Sequence, residues 1–293
     1  MNNLHPLCLP AIHISTFAPL RLCVSFFRTR KPPGAANASR LVPAAATLLA
    51  ITLVVSTAQA QDARPIVEEV QRRNTTKSQR YEGSLEVIDA KARISAKRWE
   101  YTRIGSFGAS KALLKFTAPA EVKGVALLVH SHPDRASDQW MWRPAIERDQ
   151  RIALQDRSTR FFGTDFSYED LEERDVNQYD FKLLGEENFE GIPCYKIEAT
   201  PREKKASQYT KSILWVTKDH YLYIKTESLN KTGVARIIKY SDVQNVQGIW
   251  TPRMIEVQDM KTKSRTVMKL EKLQYNMPLK EEDFSIQALR RAS

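Results

Sequence analysis

The sequence contains few of the residues that cross-link a chain. Three cysteines occur in 293 residues, and two of them, Cys8 and Cys23, lie within the first 60. If that segment is removed, Cys194 has no partner for an internal disulfide. The fold must then be stabilised by its apolar core, and we interpret Cys194 as a small buried thiol on a predicted strand.

Metal-binding and catalytic patterns are also scarce. His130 and His132 stand two apart on a predicted strand and Asp134 follows, but a zinc site needs a third ligand and supporting groups that the sequence does not identify. The chain has no H-E-x-x-H, G-x-S-x-G, P-loop or Rossmann glycine pattern. We therefore predict that the protein is not an enzyme and that it uses no metal or cofactor.

One run of carboxylates invites comparison with the paired acids of glycoside hydrolases. It comprises Asp165, Glu169, Asp170, Glu172 and Glu173. Because Ser167 precedes Glu169 and Asp170, the run is also typical of a helix start, where acidic side chains are favourable. We favour the capping role. The lysines at 204 and 205 are predicted to be solvated hairpin tips.

Acidic residues are absent from the first 60 positions, which hold five basic ones. Basic residues precede an apolar run over 44–55, and Ala58-Gln59-Ala60 offers the small residues that a signal peptidase reads. Twelve helical residues cover ~18 Å, too little to span a ~30 Å hydrocarbon core. We predict a secretory signal in 1–60 that is cleaved after Ala60. A single domain over 61–293 would then reside in the periplasm of a Gram-negative envelope.

Removal of that segment lowers the formal net charge from +11 to +6, because its five basic residues leave with it. Export argues against nucleic acid as the partner of the basic surface. Simple solubility, or a transient contact with an anionic membrane surface, explains the charge better. We expect a monomer.

Alternating polar and apolar residues dominate the chain after a short helix predicted over 62–74. In residues 111–118, for example, Ala112, Leu114 and Phe116 alternate with polar or charged neighbours. About ten such strands, joined by short turns, imply antiparallel pairing. The predicted fold class is mainly β, with a single strongly curved antiparallel sheet that forms an open, unclosed barrel capped by a few helices.

Aromatic residues concentrate in residues 140–171. Trp140 and Trp142 are two apart and so share a strand face, while Phe161, Phe162, Phe166 and Tyr168 are interrupted by Gly163 and Asp165. Such side chains form the core of many sheets. They also wall the large apolar cavities of binding proteins.

The chain resembles the outer membrane lipoprotein-sorting proteins, a LolA-like family. The resemblance lies in F-x-x-P-x-x-x-K-G-x-x-L-L from Phe116 to Leu128, in the Trp140–Ala145 segment, in F-F-G-T-D-F-S-Y-E-D-L from Phe161 to Leu171, and in G-I-P-C-Y-K-I-E-A-T-P from Gly191 to Pro201. It extends over most of residues 65–290. It implies the same open barrel, whose concave side is capped by helices, and a role in carrying lipid or lipoprotein.

A saturated chain of about 14 methylenes costs on the order of 11 kcal/mol to expose to water, so acylated cargo needs a shield in an aqueous compartment. Our first hypothesis is a periplasmic carrier that holds the acyl chains of a lipoprotein or lipid in an apolar cavity and delivers them towards the outer membrane. The predicted cavity wall is Leu114, Phe116, Leu128, Trp140, Trp142, Phe161, Phe162, Phe166 and Trp215. The alternative is an envelope sensor or accessory protein-binding module that works with an inner-membrane transporter of the resistance-nodulation-division type.

Overall fold

The computed structural model describes residues 61–291. The predicted signal over 1–60, with its cleavage point, lies outside the described residues. A helix, α1, spans Arg64–Asn74, and Pro65 occupies its first turn. The Asp62 side chain accepts a hydrogen bond from the backbone N–H of Arg64 at 2.9 Å, which satisfies one free donor of the helix start. A short helix, α2, spans Ile286–Arg290.

Thirteen strands follow α1 in the described part of the chain. They are β1 Ser78–Ile88, β2 Ile94–Ile104, β3 Lys111–Ala118, β4 Ala126–His130, β5 Asp138–Arg143, β6 Arg148–Arg151, β7 Tyr179–Phe189, β8 Ile192–Pro201, β9 Lys211–Thr217, β10 Tyr223–Asn230, β11 Gly233–Val246, β12 Ile249–Asp259 and β13 Ser264–Tyr275. The sequence predicts about ten. One strand that periodicity does not reveal is β6, whose four residues are all polar or charged and which lies at a sheet edge.

The strands form one antiparallel sheet in which chain neighbours pair and β1 pairs with β13. Its order runs from β6 through β5, β4, β3, β2 and β1 to β13, and then from β12 down to β7. The sheet would be a closed ring if β6 met β7, but these two strands are its edges. The predicted open antiparallel barrel is therefore confirmed.

The two faces of the sheet bury different sets of side chains. On the inner face, Leu114, Leu127 and Val129 join a large apolar cluster that includes residues of β1, β2 and β13. On the outer face, Ala126 and Leu128 pack against Phe284 and Leu289, next to and within α2. The α1 helix packs against the inner side of the second half of the sheet, where Val67 and Val70 are buried in a cluster with residues of β7, β8 and β9. Within residues 61–291, no helix has the length and apolar character needed to cross a membrane.

Candidate functional site

The segment that connects the two edge strands, residues 152–178, packs aromatic side chains against the inner face of the sheet, and we call it the plug. Its aromatic residues Phe161, Phe166 and Tyr168 are buried in the inner cluster. The Phe161 ring stacks on Phe116 of β3 with centroids 5.3 Å apart, and the Phe166 ring lies 5.8 Å from Trp99 of β2. The 161–171 block of the sequence therefore fills the interior of the sheet.

A tight turn directs these rings inward. Phe162 and Gly163 both adopt left-handed backbone angles, with φ of 45° and 73°. This conformation lets the Thr164 N–H bond to the Phe161 carbonyl at 3.0 Å and the Phe161 N–H to the Phe166 carbonyl at 2.8 Å. The glycine suits a position at which a side chain would add strain.

Asp165 ties the turn to the sheet. Its carboxylate is fully buried and accepts hydrogen bonds from the Thr266 hydroxyl at 2.7 Å and from the Arg160 guanidinium at 2.7 Å. Arg236 of β11 donates to the Asp165 carbonyl at 2.9 Å and lies 3.2 Å from the Asp170 carboxylate. Hydrogen bonds to charged groups are stronger than neutral ones, so these contacts fix the plug against β11 and β13.

Glu172 and Glu173 of the run are also paired with cations, whereas Glu169 accepts hydrogen bonds from the Ser207 hydroxyl and from the Gln208 backbone N–H. Glu172 forms ion pairs with both Arg157, at 2.8 Å, and Lys205. Glu173 lies 3.1 Å from the Arg103 guanidinium. The prediction that Lys205 is solvated is wrong, because Glu172 draws it into the interior, where it is 3% exposed.

The predicted cap is present as well. The Asp170 backbone N–H donates to the Ser167 hydroxyl at 3.2 Å, the Ser167 backbone N–H donates to the Asp170 carboxylate at 2.8 Å, and a single turn of 3-10 helix lies at Glu169–Leu171. The carboxylate run thus starts a helical turn and also anchors the plug.

Two adjoining cavities lie between the plug and the inner face. The first, about 230 Å³, is mostly aromatic and aliphatic, with a wall that includes Tyr81, Trp99, Tyr101, Leu114, Phe166, Ile255, Met268 and Leu270. The second, about 190 Å³, is lined by tyrosines and charged groups, among them Glu169, Arg174, Tyr179, Lys205, Tyr209 and Tyr223. We call them the apolar and the polar cavity. They share five lining residues, namely Asp170, Glu172, Glu173, Ile238 and Tyr240.

Five of the nine residues predicted to form the cavity wall lie on this inner side. Leu114 and Phe166 line the apolar cavity. Phe116 and Phe161 are fully buried in the inner cluster, and Phe162 is half-buried against it. These five therefore stay the candidates for contact with an apolar ligand.

The structure does not bring the other four residues to the cavities. Leu128, Trp140 and Trp142 lie in the outer cluster beneath α2. The register explains the placement, because Leu128 pairs with Leu113 and so shares its face rather than that of Leu114. Trp215 belongs to another cluster with Cys194 and Ile224, and the Lys225 ammonium lies 4.2 Å from its ring centroid.

Sequence reasoning missed most of the apolar wall, which comes from β1, β2, β12 and β13. Trp99 and Tyr101 alternate with charged residues along β2, and Met268 and Leu270 do so along β13. That alternation could have identified these residues as members of an apolar strand face. It could not show that β1 and β13, at opposite ends of the chain, lie side by side.

Gly83 makes room for Trp99. The two residues are paired across β1 and β2, and a Cβ at position 83 would lie 2.3 Å from the indole Nε1. We expect Gly83→Ala to force the ring from its buried position and to lower the free energy of unfolding by about 1–3 kcal/mol. Chemical denaturation measures this loss. Ser84→Ala, at the next position of the strand, is the control, and an equal loss in both variants would contradict the explanation.

Glu169 gives the fold a defined pH dependence. Burial raises the pKa of this carboxyl above its ordinary value of 4.5. The native state then holds a proton that the unfolded chain has released. The resulting stabilisation is present below pH 4.5 and is lost as the pH rises through the folded pKa.

The matched comparison is Glu169→Gln, which cannot ionise. We expect the unfolding free energy of the native sequence, relative to this variant, to fall with pH above about 4.5, at no more than about 1.4 kcal/mol per pH unit. Urea denaturation at a series of pH values provides the measurement. A difference that rises with pH would contradict the assignment.

The histidines have structural partners. His130 Nε2 lies 2.8 Å from the Phe284 carbonyl, and His132 Nε2 lies 2.9 Å from the Asp138 carboxylate. Within residues 61–291, no three His, Cys, Asp or Glu side chains are grouped so as to hold a metal ion. Burial raises the pKa of the Cys194 thiol, which opposes a nucleophilic role.

Comparison with known proteins agrees with this architecture. A family model described as an uncharacterized protein matches residues 108–291, more than half of the chain. The search of curated proteins gave no match. The structure of an outer membrane lipoprotein-sorting protein domain from Vibrio parahaemolyticus is 28% identical, covers 78% of this chain and 98% of its own, and superposes with a TM-score of 0.74.

A DUF1329 family protein from Desulfovibrio piger is 27% identical, with a TM-score of 0.74 and coverage of 78% of this chain and 97% of its own. A LolA superfamily protein from Nitrosomonas europaea shares the fold, with a TM-score of 0.63 at 20% identity and coverage of 78% and 100%. The chain therefore belongs to the DUF1329 family, and its open barrel has the fold of the LolA superfamily protein and of the lipoprotein-sorting domain.

Proposed function

We propose that the protein carries an acylated lipid, or the acyl chains of a lipoprotein, in the inner space of its open barrel and delivers them towards the outer membrane. The observation that carries this proposal is the aromatic and aliphatic cavity between the plug and strands β1, β2 and β13. The relative from Vibrio supports it, because that protein is named as an outer membrane lipoprotein-sorting domain.

Ligand uptake requires the plug to move or the two cavities to join. At about 230 and 190 Å³, each cavity is smaller than the ~300 Å³ at the lower end of small-molecule sites. Displacing the rings of Phe161 and Phe166 would enlarge the apolar space and would expose Trp99 and Phe116 to a ligand chain. The open edge between β6 and β7 is where the plug enters and leaves the barrel.

Binding, rather than catalysis, fits the polar groups of the site. The carboxylates at 165, 170, 172 and 173 each form ion pairs with buried or half-buried basic side chains. Groups held in this way position the plug and are poorly suited to proton transfer. We propose that the predicted signal over 1–60 directs residues 61–293 to the periplasm, where such a carrier would be needed.

Native mass spectrometry of residues 61–293, purified from the periplasm without detergent, tests the proposal. The expected result is a stoichiometric acylated species, which organic extraction then identifies and which Phe162→Asp reduces while the fold persists. Phe162 is suitable because it is half-buried, so the substitution perturbs the core less than one at Phe161. A clean apo mass together with no uptake of a fluorescent fatty acid would contradict carriage.

The small size of the cavities also favours, as a second candidate, a module that binds a protein partner through its rim, such as an inner-membrane transporter. The clean apo mass would be the result that this alternative predicts.

A further inference from the structure

Arg174, at the end of the plug, differs from the other basic side chains of the interior. Arg157 and Lys205 bind Glu172, Arg103 binds Glu173, and Arg236 binds Asp170 and Asp259. Among the ion pairs of residues 61–291, none includes Arg174. Its Nη1 is buried and has no hydrogen-bond partner. The fold therefore pairs these buried cations and leaves one guanidinium without a carboxylate.

An unpaired buried donor is costly. Leaving a donor of a charged group in the interior without a hydrogen bond is unfavourable, and a bound ligand is one way in which a protein completes such a group. Arg174 lines the polar cavity, and its guanidinium carbon lies 4.8 Å from the centroid of the Tyr179 ring. That contact holds the guanidinium in position at the wall of the cavity.

The surroundings of Arg174 offer further donors. The hydroxyls of Tyr179 and Tyr223 line the same cavity and form no hydrogen bond with another described residue. Burial raises the pKa of Tyr223 to about 12, so its hydroxyl keeps its proton and is able to donate. The nearby carboxylates of Asp170, Glu172 and Glu173 already have cationic partners, and the Glu169 carboxyl, which also lines the cavity, is hydrogen-bonded to Ser207 and Gln208. A bound ligand that carries negative charge and accepts hydrogen bonds would satisfy the Arg174 guanidinium.

The adjoining apolar cavity indicates what such an anion is attached to. The two cavities share Ile238 and Tyr240 as well as three carboxylate residues, so a single molecule would extend from one into the other once the cavities join. An apolar chain would lie against Trp99, Leu114 and Met268, and its charged end would reach Arg174.

We propose that Arg174 binds the anionic head group, a carboxylate or a phosphate monoester, of an amphiphile whose apolar chain occupies the adjoining cavity. The inference rests on the proposed carrier function and narrows its ligand class from lipids in general to anionic amphiphiles. The planar fork of arginine matches both head groups, because each presents two oxygens for parallel hydrogen bonds.

The test compares two fluorescent probes with the same chain, cis-parinaric acid and its uncharged methyl ester. On residues 61–293 of the native sequence we expect the acid to bind about 10–100-fold more tightly than the ester. In Arg174→Gln the affinity for the acid should fall to that for the ester, while ester affinity is unchanged. Arg174→Lys should keep part of the preference, because the ammonium is a point charge without the fork.

Arg265→Gln is the control, since Arg265 is exposed and pairs with Glu256 at the surface. It should retain the full preference for the acid. The bound acid is then displaced with dodecanoate, dodecyl phosphate or uncharged dodecanol. The anion that displaces it at the lower concentration identifies the preferred head group. Weaker displacement by dodecanol than by either anion supports the anion site.

The outcomes separate the two proposals. If the acid and the ester bind the native sequence equally well, Arg174 is not an anion site, although carriage of an apolar chain stands. If neither probe binds, the carrier function fails and the anion site fails with it. The comparison of probes on the native sequence needs no variant, so a folding defect in Arg174→Gln does not affect this result.

Discussion

Replacing Glu172 by glutamine is expected to lower the free energy of unfolding by about 3–5 kcal/mol. The Glu172 carboxylate is the shared partner of Arg157 and Lys205, and all three side chains are at most 4% exposed. The variant leaves two buried cations with a neutral amide, and the interior screens their charge far less than water does. The glutamine carbonyl is able to replace only one carboxylate oxygen, so its NH2 group faces either Lys205 or the donors Arg157 and Gln139.

Urea denaturation of the native sequence and of Glu172→Gln measures the effect. Glu190→Gln is the matched control, because Glu190 pairs with Lys239 at 2.8 Å but is 64% exposed. An exposed pair contributes about 0–1 kcal/mol, so the control should lie within that range of the native value. Equal losses in the two variants would show that the plug is not anchored through Glu172.

Phe161→Ala is expected to cost about 3–5 kcal/mol, the range for large-to-small changes at a buried phenylalanine. The ring is fully buried and packs between Phe116, at 5.3 Å, and Tyr168, at 5.5 Å. Its removal leaves a void at the centre of the inner cluster, which surrounding side chains fill only in part. Since Phe161 belongs to the plug, the same change should also loosen residues 152–178.

The stability loss is measured by chemical denaturation, and the loosening by hydrogen exchange of the plug amides. Leu184→Ala, at a side chain that is 43% exposed, is the control and should change stability by no more than about 0.5 kcal/mol. If the variant raised the exchange rates of plug and sheet amides equally, the destabilisation would be global. That result would contradict a plug that opens independently of the sheet.

The fold could be predicted from the sequence wherever a single strand shows its own alternation of polar and apolar residues. Strand β3 occupies the predicted residues 111–118, and its inward residues Leu114 and Phe116 were identified from alternation alone. Alternation also placed Trp140 and Trp142 on one face correctly. It did not say which face that is, since face assignment between strands depends on pairing register, and one residue of register moves Leu128 from one side to the other.

The site depends on contacts that are remote in sequence, and local patterns carry no information about them. Asp165 meets Thr266 across 101 positions, and Glu172 meets Lys205 across 33. The carboxylate run was therefore interpreted as a helix cap, which is part of its role. Its distant hydrogen-bond and ion-pair partners could not be predicted from the sequence. The plug itself follows from the pairing of β1 with β13, because that pairing leaves β6 and β7 as the edges that residues 152–178 must connect.

The position of a bound acyl chain in the protein tests the proposed carrier function most directly. A fatty acid with a photoactivatable diazirine on its chain, cross-linked to residues 61–293 and mapped by peptide mass spectrometry, answers this. We expect labels on β1, β2, β13 and the plug, at residues such as Trp99, Leu114, Phe166 and Met268, and their loss when unlabelled fatty acid competes. Competable labels confined to the outer cluster beneath α2, around Trp140 and Trp142, would contradict a carrier that binds in the interior of the barrel.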